Sequence, residues 1–415
     1  MAPPYNSRMS AHPPGSTPSP PASAGISDLR LLLILGALMA FTSLSIDIYL
    51  PAMPTMAREL QGDVELTLTG FLIGFGIGQL VWGPISDRIG RHRPLMIGVA
   101  LFVVGSIGCA LSQTMGQLVF WRIFQAFGAC TGPMLARTMV RDLYSRTQAA
   151  HTLSTLTVIM AIAPIIGPLI GGQIVTLGSW HGIFWLLAVM AAGMLWVLRR
   201  FPETLPPERR ATTPATRAFG DYRMLLGNRV FMRYVLCVTF YYISIYAFLA
   251  GSPKVYIEYF GVAPEHYGWL FGLNILGVMS MSLFNRRMVG RFGLDTLLRT
   301  ASVVAATAMV ACIGVSELQI GGLTGIVVLI FVFFSMNGVI AATATAAALD
   351  GVSRHLAGSA TALIGALQYG SGIISSLMLA AWSDGTPRVF LLVMAAFAIA
   401  SAVAASRSGP RRDGF

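Results

Sequence analysis

Charge is what this sequence has least of. Only 11% of its 415 residues are Asp, Glu, Lys or Arg, less than half of the roughly 25% typical of soluble domains, so most of its surface cannot face water. Acid is scarcer than base, with 17 Asp and Glu against 28 Lys and Arg and a net charge of +11. There are four cysteines, Cys109, Cys130, Cys237 and Cys312. All four fall inside apolar runs, where cysteine behaves as a small apolar side chain. With no ligand spacing among them, neither a disulfide nor a metal site is expected. The six histidines lie in loops, near the start of the chain or at the ends of apolar runs. No phosphate-binding glycine loop and no nucleophile with a paired base are present, which argues against ATP drive and against an enzyme. No cofactor is expected.

What the chain does have is long hydrophobic runs. A bilayer is crossed by about 20 apolar residues. Runs of that kind lie near 29–50, 66–85, 95–112, 117–138, 151–175 and 181–200, and again near 230–252, 266–285, 294–314, 321–345, 358–380 and 388–405. The pattern predicts an all-α integral membrane protein with 12 transmembrane helices. With both ends placed inside, 24 of the 28 basic residues fall on the cytoplasmic side; Arg58, Lys254 and Arg388 fall outside and Arg122 within a span. This is the positive-inside bias. The basic balance therefore reports orientation in a lipid bilayer and not a nucleic-acid partner.

The expected organisation is a disordered cytoplasmic tail (1–27), rich in Pro and Ser, a six-helix half (28–200), a polar cytoplasmic loop (201–229), a second six-helix half (230–405) and a short cytoplasmic tail (406–415). The first apolar run continues into "DIYLPAMP" without a small-residue cleavage site, so it reads as a span and not as a signal peptide. "DRIGR" after span 2 and "GRFGL" after span 8 stand 203 residues apart. They suggest a parallel duplication, with Gly290 where Asp87 stands in the first half.

"GPISDRIGRHRPLMIG" resembles the loop signature of the major facilitator superfamily, with His92 where a basic residue is usual. "WRIFQAFGAC" around Arg122 is similar to that superfamily's fourth-helix motif. "APIIGPLIGG" in span 5 looks like the pattern of its drug:proton antiporters. "SIDIYLPAMP", "RTMVRDLY" and "FLAGSPKVYIEYFGVAPEHYGWLFGLN" resemble its Bcr/CflA branch of drug exporters. The resemblance implies the major facilitator fold, two six-helix halves around a midplane cavity, in a bacterial inner membrane with both termini cytoplasmic.

Several residues stand out on physical grounds. Gly70, Gly74 and Gly78 form a small-residue stripe on span 2 for close helix packing. Span 2 ends in Asp87, Arg88, Gly90 and Arg91. The arginines serve as orientation signals, but Asp87 does not. A carboxylate at the membrane edge is favourable at a helix N-terminus, and the resemblance implies that Asp87 docks on the start of span 11, "GSATALIG", as a gating latch while the outside is open. Arg88 and Arg91 can pair with Asp142. The alternative is that Asp87 only marks topology.

Asp47 is the one carboxylate embedded in an apolar run. At 1.5 Å per residue it lies roughly 27 Å from the inner end of span 1, and Arg122 lies about 22 Å from the same side. The two can therefore meet, with Gln125 beside Arg122, as a proton-coupling site. The alternatives are an acid at a helix end for Asp47 and snorkelling to the headgroups for Arg122. Pro164, Gly167, Pro168, Gly171 and Gly172 in span 5 act through shape, and the resemblance links that shape to antiport by sealing a leak path. Tyr49, Tyr241, Tyr242, Tyr246, Phe248, Asn274, Asn337 and Gln368 are candidates to line an aromatic cavity, although each alone also suits helix packing. The expected activity is proton-coupled export of a small amphipathic drug-like substrate by a monomer. A metabolite exporter or solute importer of the same fold, or a membrane sensor that transports nothing, is the alternative.

Overall fold

Inside a bilayer every main-chain N–H and C=O must find its partner within the protein, so apolar runs of this length become helices. The computed structural model describes residues 28–210, 217–353, 356–382 and 385–406; the expected tail at 1–27 lies outside them, as does the one at 406–415 except for Ser406, which is the last residue of a helix. Among the described residues there is no strand. The first half contains α1 (Asp28–Asp47), α2 (Met53–Leu60), α3 (Glu65–Ile89), α4 (His92–Ala110), α5 (Met115–Ala129), α6 (Thr131–Leu143), α7 (Arg146–Leu177) and α8 (His181–Leu198). A short helix, α9 (Arg217–Gly227), follows within the stretch expected to be loop. The second half contains α10 (Arg229–Pro253), α11 (Pro264–Phe292), α12 (Leu294–Glu317), α13 (Gly322–Ser335), α14 (Asn337–Asp350), α15 (Ala357–Trp382) and α16 (Pro387–Ser406).

Among the described residues eleven helical stretches are long and apolar enough to cross a membrane. The twelfth crossing is α5 and α6 in series. At 15 and 13 residues each is too short alone, since about 20 are needed. The same kind of junction recurs in the second half, where α13 runs on into α14 at Met336; Cys130 and Met336 both keep right-handed helical backbone angles. Cys130 and Met336 are 206 residues apart, close to the offset of the loop motif. That motif repeats in conformation too: α3 ends at Gly90 (φ +100°) and α11 ends at Gly293 (φ +76°), a region that disfavours any side chain. The duplication suspected from "DRIGR" and "GRFGL" is thus visible in backbone geometry.

Within the first half, Gly70, Gly74 and Gly78 of α3 lie against main-chain atoms of Val119, Ile123 and Phe127 in α5, so the small-residue stripe serves close packing. Between the halves, α3 packs on α15 and α7 on α11. The ends of the bundle differ. One carries Asp87, Arg91 and Arg141 and is called here the basic end; the other carries the 3₁₀ turn Leu50–Ala52 and α2.

Candidate functional site

A cavity of about 730 Å³ opens between the halves at the basic end. Its walls come from α3, α6 and α7 on one side and α10, α14 and α15 on the other, with Asp221 and Tyr222 of α9 at its edge. At the other end the halves are pressed together. A side-chain carbon at Gly172 of α7 would stand 2.5 Å from the Pro264 carbonyl of α11, while the neighbouring Gly171 abuts the Ile48 carbonyl within the first half. Thr176 Oγ1 donates to Glu265 Oε2 at 3.1 Å across the same seam.

The ceiling of the cavity is aromatic. Tyr242 and Tyr369 line it. Behind them Tyr246 stands 6.3 Å from the Tyr369 ring, and Phe75 4.2 Å from it. Of the residues expected to line the cavity, Tyr242 and Gln368 do so, and Asn337 lies against the Tyr242 hydroxyl. The others do not. Tyr246 is buried in the layer behind, Tyr241 donates to the Phe333 carbonyl, and Phe248 and Asn274 are buried within the second half. Tyr49 is also buried, with its ring beneath Arg122. Sequence reading gave these residues a shared polarity or ring but had no register to say which face of each helix meets the cavity.

Asp47 and Arg122 do not form an ion pair in this state, contrary to the simplest reading of their depths. Arg122 is fully buried in the first half. Its Nη1 donates to the Ser45 carbonyl at 3.2 Å and to Gln125 Oε1 at 2.7 Å, and Gln125 Nε2 donates to Ser106 Oγ at 2.8 Å. Its guanidinium carbon lies 4.2 Å from the Tyr49 ring centre and 4.4 Å from that of Phe71, so the cation is held by aromatic faces. Two donors, Nε and Nη2, have no partner. Snorkelling is excluded by this burial. Asp47, two residues beyond the carbonyl that Arg122 holds, is 5% exposed and makes no side-chain hydrogen bond or ion pair among the described residues. Its Cβ faces Gly167 of α7, so the glycine face of the span 5 motif lies directly over it.

The charges at the basic end are organised by Arg91, which is 6% exposed. It pairs with Asp87, with Asp142 at 3.0 Å, and with Ser86 Oγ at 2.9 Å. Arg88 takes no part; the pairing expected of Arg88 and Arg91 with Asp142 falls to Arg91 alone. One participant was not anticipated. Glu203, just beyond α8, accepts from the main-chain N–H of Arg91 at 2.7 Å and of His92 at 3.2 Å, and from those of Thr204 and Leu205, both at 3.0 Å. Burial works against ionisation of this carboxyl, but the four N–H donors outweigh it and hold its pKa below the usual glutamate value. A side chain at Gly90 would run into the Glu203 carboxylate. The start of α15, where Asp87 was expected to dock, is taken by another acid: Ser359 Oγ donates to Asp221 Oδ2 of α9 at 3.2 Å.

Two six-helix halves closed at one end around a cavity open at the other define an alternating-access membrane transporter, not an enzyme. The chain belongs to the Major Facilitator Superfamily, whose pattern matches residues 33–376. It is 37% identical over 356 residues to the uncharacterized MFS-type transporter YdgK of Bacillus subtilis, covering 84% of this chain and 88% of that one. It is 32% identical over 355 residues to multidrug resistance protein D of Escherichia coli, with 84% and 88% covered. It is 29% identical over 379 residues to the bicyclomycin resistance protein homolog of Haemophilus influenzae, with 90% and 94% covered. Among solved structures, a D-xylose-proton symporter superposes with a TM-score of 0.73 over 92% of this chain and 97% of its own, at 16% identity, a likeness of fold alone.

Proposed function

We propose that this transporter is a proton-driven exporter of small amphipathic drug-like molecules, working as a monomer in a bacterial inner membrane with both termini cytoplasmic. The halves 28–200 and 230–405 rock about the cavity, and the basic end faces the cytoplasm, so the present state is inward-open. The resistance proteins among its relatives support a drug-like substrate.

The observation that carries the proton coupling is the placing of Asp47. A buried carboxyl group with no hydrogen-bond donor of its own is costly to hold as an anion. It sits on the closed side of the cavity, beneath the glycine face of α7 and near an arginine with two unused donors. A small shift of α1 against α5 would bring those donors to it, so that proton release accompanies the change of state. Asp87 serves as the latch of the other state. In the inward-open form it is held by Arg91 while Asp221 occupies the start of α15; in the outward-open form Asp87 takes that place.

The test is flux in proteoliposomes under an imposed pH gradient, using chloramphenicol as the neutral probe. The wild type should move it against its concentration gradient. Asp47→Asn should lose this uphill movement by at least about tenfold while still exchanging probe downhill, since only the coupling is removed. Normal uphill pumping by Asp47→Asn would place the coupling group elsewhere.

A further inference from the structure

Four arginines line the cavity, Arg88, Arg91, Arg137 and Arg141, against two acids, Asp87 and Asp221. Arg91 is already neutralised by Asp87 and Asp142. Arg137 is not: its side chain is exposed to the cavity and makes no hydrogen bond or ion pair among the described residues. Its position is not that of an orientation signal. It lies six residues before the end of α6 at Leu143, about 9 Å inward at 1.5 Å per residue, and it faces the space between the halves instead of the headgroups. Arg141, one turn closer to the end, already serves the edge.

Tyr242 and Tyr369 stand above Arg137 and belong to the same cavity wall. The guanidinium is within electrostatic reach of both hydroxyls. Gln79 and Gln368 add hydrogen-bonding groups at the same level of α3 and α15. An unpaired cation in a recess with low-dielectric walls concentrates a positive potential there. A guanidinium presents a planar fork of donors suited to two oxygens of one anionic group, and flanking rings accept an aromatic body by offset or edge contact. A cationic ligand would meet repulsion at the same point.

We infer that Arg137 is a specificity-determining residue of the transport cavity, holding an anionic group of the substrate, a carboxylate or sulfonamide anion, while Tyr242 and Tyr369 flank the substrate's aromatic part. This rests on the export reading above and sets a preference within its substrate class, for aromatic compounds with an anionic group over neutral and cationic ones.

The experiment is calorimetric titration of the full-length protein in phosphatidylcholine nanodiscs, whose lipid offers no anionic headgroup to compete. Three aromatic probes are used: sulfamethoxazole in its anionic form, neutral chloramphenicol and cationic tetraphenylphosphonium. The wild type should bind the sulfonamide anion most tightly. Arg137→Gln should weaken that probe by roughly tenfold and change chloramphenicol by less than about twofold, and Arg137→Lys, which keeps a point charge, should fall between. Tightest wild-type binding of the cation, equal weakening of all three probes by Arg137→Gln, or unchanged sulfonamide binding would each overturn the assignment while leaving drug export standing. Wild-type binding of none of the three would overturn both.

Discussion

Glu203 shows how much a single side chain can organise at the basic end. It is separated from Arg91 by 112 positions, yet it closes the first turn of α4 by accepting from two of its leading N–H groups. A helix leaves those donors without partners inside itself, and a negative charge beside them is favourable. Glu203→Gln keeps the shape and removes the charge. Because the group is half in solvent, the loss is discounted to about 1 kcal/mol, read as a fall of a few degrees in the apparent melting midpoint in detergent. The folded pKa is depressed, so the stabilisation is present above the unfolded glutamate value of about 4.3 and is lost as pH falls through the folded value. The gap between wild type and Glu203→Gln should therefore be full at neutral pH and shrink below about pH 4. A gap that stays constant on acidification would mean that the carboxylate's charge contributes nothing.

At the scale of the helix, α7 is the element whose shape matters most. Its Gly167 and Gly171 receive the end of α1 around Asp47 and Ile48, and Gly172 receives the start of α11. One face of one helix thus touches both halves at the closed end. A side chain at Gly171 cannot be admitted without displacing the Ile48 carbonyl, which is main chain and cannot swing aside. Gly171→Val should insert in the membrane normally but lose at least about tenfold of gradient-driven transport, as overpacking by a few kcal/mol is enough to unbalance two states. Gly193→Val in α8 is the control, since nothing lies within 4 Å of a side-chain carbon there. Equal effects of the two substitutions would show that any bulk added to a glycine is harmful and that the α7 face has no special part. The paired junctions at Cys130 and Met336 belong to this scale too: both residues keep right-handed helical backbone angles, so α5 with α6 and α13 with α14 each run on as one rod, and α6 and α14 both reach the cavity, through Arg137 and Thr345.

For the whole molecule the issue is orientation, since the cavity mouth lies at the basic end. All four cysteines are buried, so the wild type should be silent to a membrane-impermeant maleimide. Glu208→Cys, at an exposed position beyond α8, should be labelled only after cells are permeabilised, whereas Asp63→Cys, exposed at the other end between α2 and α3, should be labelled in intact cells. Labelling in the reverse order would invert the topology and turn the cavity outward.

Residue order by itself determined the class of this protein, because crossing a bilayer demands long uncharged runs and the insertion bias sorts Arg to one side, and both are local properties of the chain. It also marked the residues that are costly where they lie, Asp47 and Arg122, since a charge in an apolar run needs no neighbour to be conspicuous. What it could not supply was rotation and pairing. Tyr49 and Tyr242 look alike in sequence, but one closes over Arg122 and the other faces the cavity, a difference set by which side of each helix the neighbouring helix covers. Arg137 read as one more basic residue near a span end until the tilt of the two halves left it facing open space. Asp142 with Arg91, Glu203 with the start of α4, and Asp221 with Ser359 are pairs 51, 112 and 138 positions apart. Such pairs are chosen only when the packed helices bring their ends together, because hydrogen bonds act over about 3 Å and the chain's order says nothing at that range.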